Sequence, residues 1–140
     1  MVNRVVNIVL KSISYIIITI IFVFLFLVFG IRIFGLQVYT VLSGSMVPTY
    51  DVGSLIYVKP KESDEIKVDD ILTFKIDSSD TVVTHRVVEI VYDDMNNRLF
   101  RTKGDANDNI DENSVKEKDV IGIPIFAIPF LGYVTTFIQT

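Results

Sequence analysis

Thr81-Val82-Val83-Thr84-His85-Arg86-Val87-Val88-Glu89-Ile90-Val91 is a run in which only His85, Arg86 and Glu89 are not branched at Cβ. Such side chains are stiff at χ1 and pack well on a pleated surface, so the run predicts a β-strand. Shorter stretches of the same character lie on either side: Val38–Leu42, Ser54–Val58, Ile71–Ile76 and Arg98–Lys103. Asp, Asn, Gly or Pro separates them, the residues that favour turns. Asp51-Val52-Gly53 reads as one connection, and Asp93-Asp94-Met95-Asn96-Asn97 as a hairpin turn around Asn96-Asn97. No amphipathic helical pattern of useful length, internal repeat or low-complexity tract occurs in this part of the chain. The prediction is a mainly β fold, an antiparallel barrel or sandwich.

Working outward, Ser12 to Ile31 is a run without a single charged residue, dominated by Ile, Val, Leu and Phe. Twenty residues at 1.5 Å each reach about 30 Å, the thickness of a bilayer's hydrocarbon core. A cleaved signal peptide has a shorter apolar core, and Ile33-Phe34-Gly35-Leu36 makes a poor small-residue cleavage site. The run therefore reads as a single uncleaved transmembrane helix. Arg4 and Lys11 precede it and Arg32 closes it, a bias that puts the N-terminus in the cytoplasm and everything from Gly35 onward outside the cell membrane. The expected organisation is residues 1–34 as cytoplasmic N-terminus and anchor, and residues 35–140 as an extracytoplasmic β domain with an apolar C-terminal segment. That last segment, Val120 to Thr140, is also free of charge, but Pro124, Pro129, Gly122 and Gly132 interrupt it. It reads as a strand running into a short apolar stretch that touches the bilayer rather than as a second span.

Composition narrows the function. A net charge of −4 with no basic stripe leaves nothing to neutralise nucleic-acid phosphates. The absence of Cys removes disulfides and thiolate zinc sites. The polar middle of the chain is small for an independent core, which makes packing against the membrane or a partner an expectation.

Three pieces of sequence carry chemistry. Ser43-Gly44-Ser45-Met46-Val47-Pro48 sits just beyond the anchor. Gly44 lets the backbone turn sharply and Pro48 stiffens the exit, which would aim the Ser45 hydroxyl at a cleft; taken alone, the same tripeptide is ordinary turn chemistry. His85 is the chain's only histidine. Its imidazole suits base work at neutral pH, although a lone strand histidine is commonly a packed or surface residue. Lys103-Gly104-Asp105-Ala106-Asn107-Asp108-Asn109-Ile110-Asp111 is an acidic stretch that either orients an imidazole or is simply a solvated loop. A calcium loop is rejected, because Ile110 stands where such a loop needs glycine and Lys116 where it needs glutamate. No cofactor or metal site is read. Ser, His and Asp nevertheless occur in an order usable by a serine hydrolase.

Together these segments resemble the type I signal peptidases, in particular the endoplasmic-reticulum-type branch that uses His rather than Lys as base. The resemblance rests on the anchor, Ser43-Gly44-Ser45-Met46-Val47-Pro48, Thr84-His85-Arg86-Val87 and Lys103-Gly104-Asp105 with its acidic tail. Asp119-Val120-Ile121-Gly122 through Pro129-Phe130-Leu131-Gly132-Tyr133 also looks like that branch's closing strand and turn. The resemblance implies Ser45 as nucleophile, His85 as general base and Asp111 as orienting carboxylate. Asp105 matches a second required position, and the sequence leaves open which of the two faces the imidazole. It further implies an oxyanion held by the Ser45 backbone N–H and the Ser43 hydroxyl, and small subsites near Met46 and Val47 that select alanine. The implied activity is removal of signal peptides from secretory preproteins at Ala-X-Ala-like sites. The large insertion of many bacterial-type relatives is missing, so a partner subunit is a further expectation. The competing reading is a non-catalytic membrane-tethered β scaffold or accessory peptidase subunit.

Overall fold

An apolar segment can satisfy its own backbone polar groups as a helix without help from water. The computed structural model, which describes residues 2–30, 35–76 and 81–132, folds the N-terminal segment that way. Helix α1 runs Val2–Phe29. Within it Arg4–Phe26 is long and apolar enough to cross a membrane: 23 residues, about 35 Å. The serine and threonine hydroxyls inside the span bond back to carbonyls one turn earlier, Ser12 to Ile8 (3.0 Å), Ser14 to Leu10 (3.0 Å) and Thr19 to Tyr15 (2.9 Å). That is how a polar side chain is tolerated in an apolar setting. Arg32 and Ile33-Phe34 lie outside the described residues, as does the C-terminal apolar segment from Tyr133 onward.

The chain divides into two compact units, Met1–Gly35 and Leu36–Thr140. Among the described residues the second has seven strands: β1 (Gln37–Thr40), β2 (Leu55–Lys59), β3 (Ile71–Lys75), β4 (Val82–Tyr92), β5 (Arg98–Lys103), β6 (Val115–Lys116) and β7 (Val120–Ile128). They form one curled antiparallel sheet in the order β1-β2-β7-β3-β4-β5-β6. The expected antiparallel β architecture is present as a half-barrel, with β1 and β6 at its edges. The turn between β4 and β5 is the anticipated one: Asn96 has φ 65°, and the Asp93 carboxylate accepts the Asn97 N–H at 2.8 Å. Strand β1 ends at Thr40, short of the anticipated Leu42; Val41 still exchanges backbone bonds with Ser54 and Gly53 before the chain turns toward Gly44–Met46. Strand β6 has no counterpart in the sequence reading, because Val115 is the lone apolar residue in a polar stretch.

Leu72, Phe74, Val87, Phe100 and Val115 from five positions around the sheet's inner face close over Ile66 to make one apolar core. In β2 the four residues Leu55, Ile56, Tyr57 and Val58 are all buried, so this strand is covered on both faces where a half-buried strand would alternate. Strand β7 joins the two halves of the sheet. Its C-terminal part pairs with β2 and its start with β3, and a bulge interrupts each ladder. Pro124, which cannot donate to a ladder, sits beside the first of these bulges. Gly122 is at the changeover, with φ 155° and with so close an approach to β2 that a Cβ there would lie 2.1 Å from the Lys59 carbonyl oxygen.

Gly122→Ala is therefore expected to destabilise the β unit by about 1–3 kcal/mol, the usual cost of forcing atoms into a filled space. Gly44→Ala, whose Cβ would meet nothing nearer than Val47 Cγ2 at 3.8 Å, should stay within about 0.5 kcal/mol. Urea unfolding of the detergent-solubilised chain, followed by near-ultraviolet circular dichroism, compares the two; equal midpoints would contradict the assignment.

Candidate active site

Three separated parts of the chain converge on His85. The first is the turn after β1. Gly44–Met46 forms a single 3-10 turn, closed by the Val47 N–H donating to the Gly44 carbonyl at 3.1 Å. Met46 is buried and anchors the turn, while Ser43, Gly44 and Val47 face solvent and Ser45 is half-buried. The Ser43 hydroxyl makes no capping bond to the turn; it lies 3.2 Å from the Ser45 hydroxyl instead. The Val47–Pro48 peptide bond is cis.

The second part is β4. Its inward positions are His85 and Val87, and His85 is paired in register with the fully buried Leu72 of β3. The ring stands edge-on to Phe74 at 6.5 Å between centroids. Its Nε2 lies 3.1 Å from Ser45 Oγ and its Nδ1 lies 2.6 Å from Asp111 Oδ2. A carboxylate only accepts, so Nδ1 carries the proton, and Nε2 is left free to accept the Ser45 hydroxyl. That is the tautomer a base needs.

The third part is the stretch from Thr102 to Asp111. Thr102, fully buried on β5, donates its hydroxyl to Asp111 Oδ2 at 2.7 Å, and its carbonyl accepts the Asp111 N–H at 2.8 Å. Ala106 N–H donates to the Ser45 carbonyl at 2.9 Å. Gly104 permits that approach, since a Cβ on it would come within 2.6 Å of the same carbonyl oxygen.

The two acidic candidates occupy different places. Asp111 faces the imidazole. Asp105 turns away to take a bidentate pair from Arg86, Nε to Oδ1 and Nη2 to Oδ2 at 2.8 Å each, and the Thr49 hydroxyl at 2.5 Å. Arg86 also donates to the Asp69 carbonyl at 2.8 Å. The Arg86 hydrogen bonds hold the Asp105 carboxyl below the ordinary 3.8; burial opposes them and the Thr49 hydroxyl adds to them. Asp105 thus ties the residue after His85 to the residue four beyond Ser45. Arg86, Thr49 and Thr102 were not singled out by sequence reasoning. Thr102 had a usable signal: alternation along β5 puts Phe100 and Thr102 on the same inward face, where a polar side chain needs a partner.

A cavity of about 320 Å³ opens beside His85 and Asp111, floored by Phe74, Ile76, Val83 and Val115. It lies on the Asp111 side of the imidazole, whereas the subsites expected from the sequence were near Met46 and Val47.

Residues 13–124 match the family model described as signal peptidase, peptidase S26. The chain belongs to that family. Among its relatives is the signal peptidase complex catalytic subunit of Homo sapiens, 33% identical over 105 residues that cover 70% of this chain and 55% of that protein. The corresponding catalytic subunit of Zygosaccharomyces rouxii is 31% identical over 110 residues, covering 73% of this chain and 65% of the relative. Signal peptidase I W of Bacillus subtilis is 43% identical over 82 residues, covering 58% and 42%. The chain spans about half the length of the human relative.

The Asp105–Arg86 pair has a pH signature. Because the folded carboxyl titrates below its unfolded value, its stabilisation is complete above about pH 4 and is lost as pH falls through the lower folded value. Asp105→Asn should accordingly be less stable than the wild type at pH 7, with the gap narrowing as the pH drops below 4. Denaturant midpoints taken from pH 7 to pH 2.5 test this; a gap that is constant with pH would show that the pair's charge is irrelevant.

Proposed function

We propose that this signal peptidase family member is a membrane-tethered serine endopeptidase that removes signal peptides from secretory preproteins. The observation that carries the reading is the continuous hydrogen-bonded relay from Ser45 Oγ through the His85 ring to Asp111. Ser45 gives its proton to His85 Nε2 as its oxygen attacks the scissile carbonyl, and Asp111 stabilises the imidazolium that forms. The Ser45 backbone N–H and the Ser43 hydroxyl hold the developing oxyanion; removing one such donor typically costs about 2.7–4 kcal/mol in the barrier. The imidazolium then protonates the departing amine, and water, deprotonated by the same ring, releases the acyl group. Asp105 is a structural support in this scheme and makes no contact with the reacting atoms.

The names of the relatives support the substrate class, and the apolar helix supports the location. A signal peptide is itself held in the bilayer, so tethering the enzyme there raises the effective concentration of the two partners without any new contact. The orientation proposed is N-terminus in the cytoplasm and β unit outside, the substrate being cut after a small-residue Ala-X-Ala-like site. Two relatives are named as the catalytic subunit of a complex, which favours a partner subunit for this chain as well. A non-catalytic scaffold would have no use for a complete serine–imidazole–carboxylate relay.

Ser45→Ala and His85→Ala should each remove cleavage of a peptide spanning a signal-peptide junction while leaving the thermal melt unchanged. Loss of the general base is expected to cost at least about 10²-fold. His85→Lys should fail too, since the Asp111 carboxylate beside that position favours the charged ammonium, which is no base. Pre-treatment of the detergent-solubilised chain with a serine-directed acylating agent should abolish activity and label Ser45. Normal cleavage by either alanine variant would end the assignment.

A further inference from the structure

The Asp111 carboxylate has two side chains on a single oxygen. Oδ2 accepts the Thr102 hydroxyl at 2.7 Å and lies 2.6 Å from His85 Nδ1. The same two residues are joined again through the main chain, Asp111 N–H to Thr102 carbonyl at 2.8 Å. Asp111 is thereby clamped at both ends by one residue. The residue that clamps it belongs to a paired strand: Thr102 stands opposite Val87 in the β4–β5 ladder, two positions from His85. The loop that carries Asp111 is otherwise exposed from Ala106 to Ile110. A free carboxylate on such a loop would sample several rotamers and offer either oxygen to the imidazole.

We infer that Thr102 is a positioning residue for the proposed reaction: its hydroxyl fixes the rotamer of Asp111 and so the orientation and tautomer of His85. This rests on the peptidase reading above. Thr102 has no exposed surface and cannot meet a peptide, so its influence passes through Asp111 alone. A polar group on a strand's buried inward face is otherwise a liability, and valine would fill about the same volume. The hydroxyl is the part of this fully buried side chain that needs Asp111.

The test compares Thr102→Val, which keeps the shape and removes the donor, with Thr102→Ser, which keeps the donor. Using the full chain in detergent and a peptide spanning an Ala-X-Ala junction, Thr102→Val should lower kcat about 10- to 100-fold with KM unchanged. That range corresponds to one hydrogen bond to a charged acceptor. Thr102→Ser should retain kcat within about threefold of the wild type, a difference on the order of 0.6 kcal/mol. Because His85 is the only histidine, its Nδ1 proton is observed by nuclear magnetic resonance in a ring-labelled sample without further assignment. The downfield signal of that proton should persist in the wild type and in Thr102→Ser, and broaden or move upfield in Thr102→Val. If Thr102→Val does not fold, Thr102→Ala against Thr102→Ser makes the same comparison. Equal kcat and an unmoved signal in the valine variant would overturn the inference while leaving the peptidase reading intact, as would a serine variant as impaired as valine or a loss confined to KM. A folded wild type that cleaves no such peptide would instead remove the peptidase reading, and the kinetic role of Thr102 with it.

Discussion

The short segment from Gly104 to Asp111 touches every part of the relay, and the site exists because that segment is held. Its Ala106 N–H fixes the carbonyl of Ser45, its Asp105 grips Arg86 and Thr49, and its Asp111 meets His85. The residues brought together come from a turn, a central strand and a loop that are up to 66 positions apart in the chain (111 minus 45). Hydrogen bonds of this kind contribute little net stability each, about 0.5–1.5 kcal/mol, yet they are steeply dependent on distance and angle. Their value here lies in geometry. All of these but the Ala106–Ser45 bond have a carboxylate partner, and the Arg86–Asp105 fork has the planar match that makes such pairs directional.

Gly104 shows how a single small residue makes the arrangement possible. The loop can lie against the Ser45 carbonyl only because no Cβ stands between them. The same residue follows directly on β5, so the ladder that sets the position of Thr102 also sets the start of the loop. Rigid strands deliver Thr102 and His85, and the loop spans the short distance left to Ser45.

Much of this was legible in the residues. The β-branched run around His85, the Asp93–Asn97 hairpin and the charge-free N-terminal segment each follow from local physics, and β4, its turn to β5 and α1 lie close to where that physics puts them. One histidine leaves no choice of an imidazole base, whereas Ser45 and the aspartates were named through the resemblance to the type I signal peptidases, since Ser-Gly-Ser alone reads as an ordinary turn. The choice between Asp105 and Asp111 was not legible, since both are acidic residues in one loop and only the path of the backbone aims them apart. The order of strands was hidden for a similar reason. Nothing in Val120–Ile128 says that it will lie between β2 and β3, because that depends on which ladder edges remain open once the hairpins have formed. Strand β6 was too short and too polar to signal itself.

The place of β7 between β2 and β3 also governs when the molecule becomes whole. The β1–β2 pair carries the turn with Ser45, and the β3–β4–β5 ladder carries His85; no strand ladder connects these two groups until the last of the seven strands is inserted. The strand ladders therefore leave Ser45 and His85 in separate groups until β7 is added, and the links that do not pass through β7 are those of the Gly104–Asp111 segment, Ala106 N–H to the Ser45 carbonyl and Asp111 to the imidazole. Joining them is a long-range step, slow by nature because loop-closure entropy must be overcome before the contacts form. The Ser45–His85 geometry is consequently a late product of folding, set by the C-terminal strand as well as by the loop.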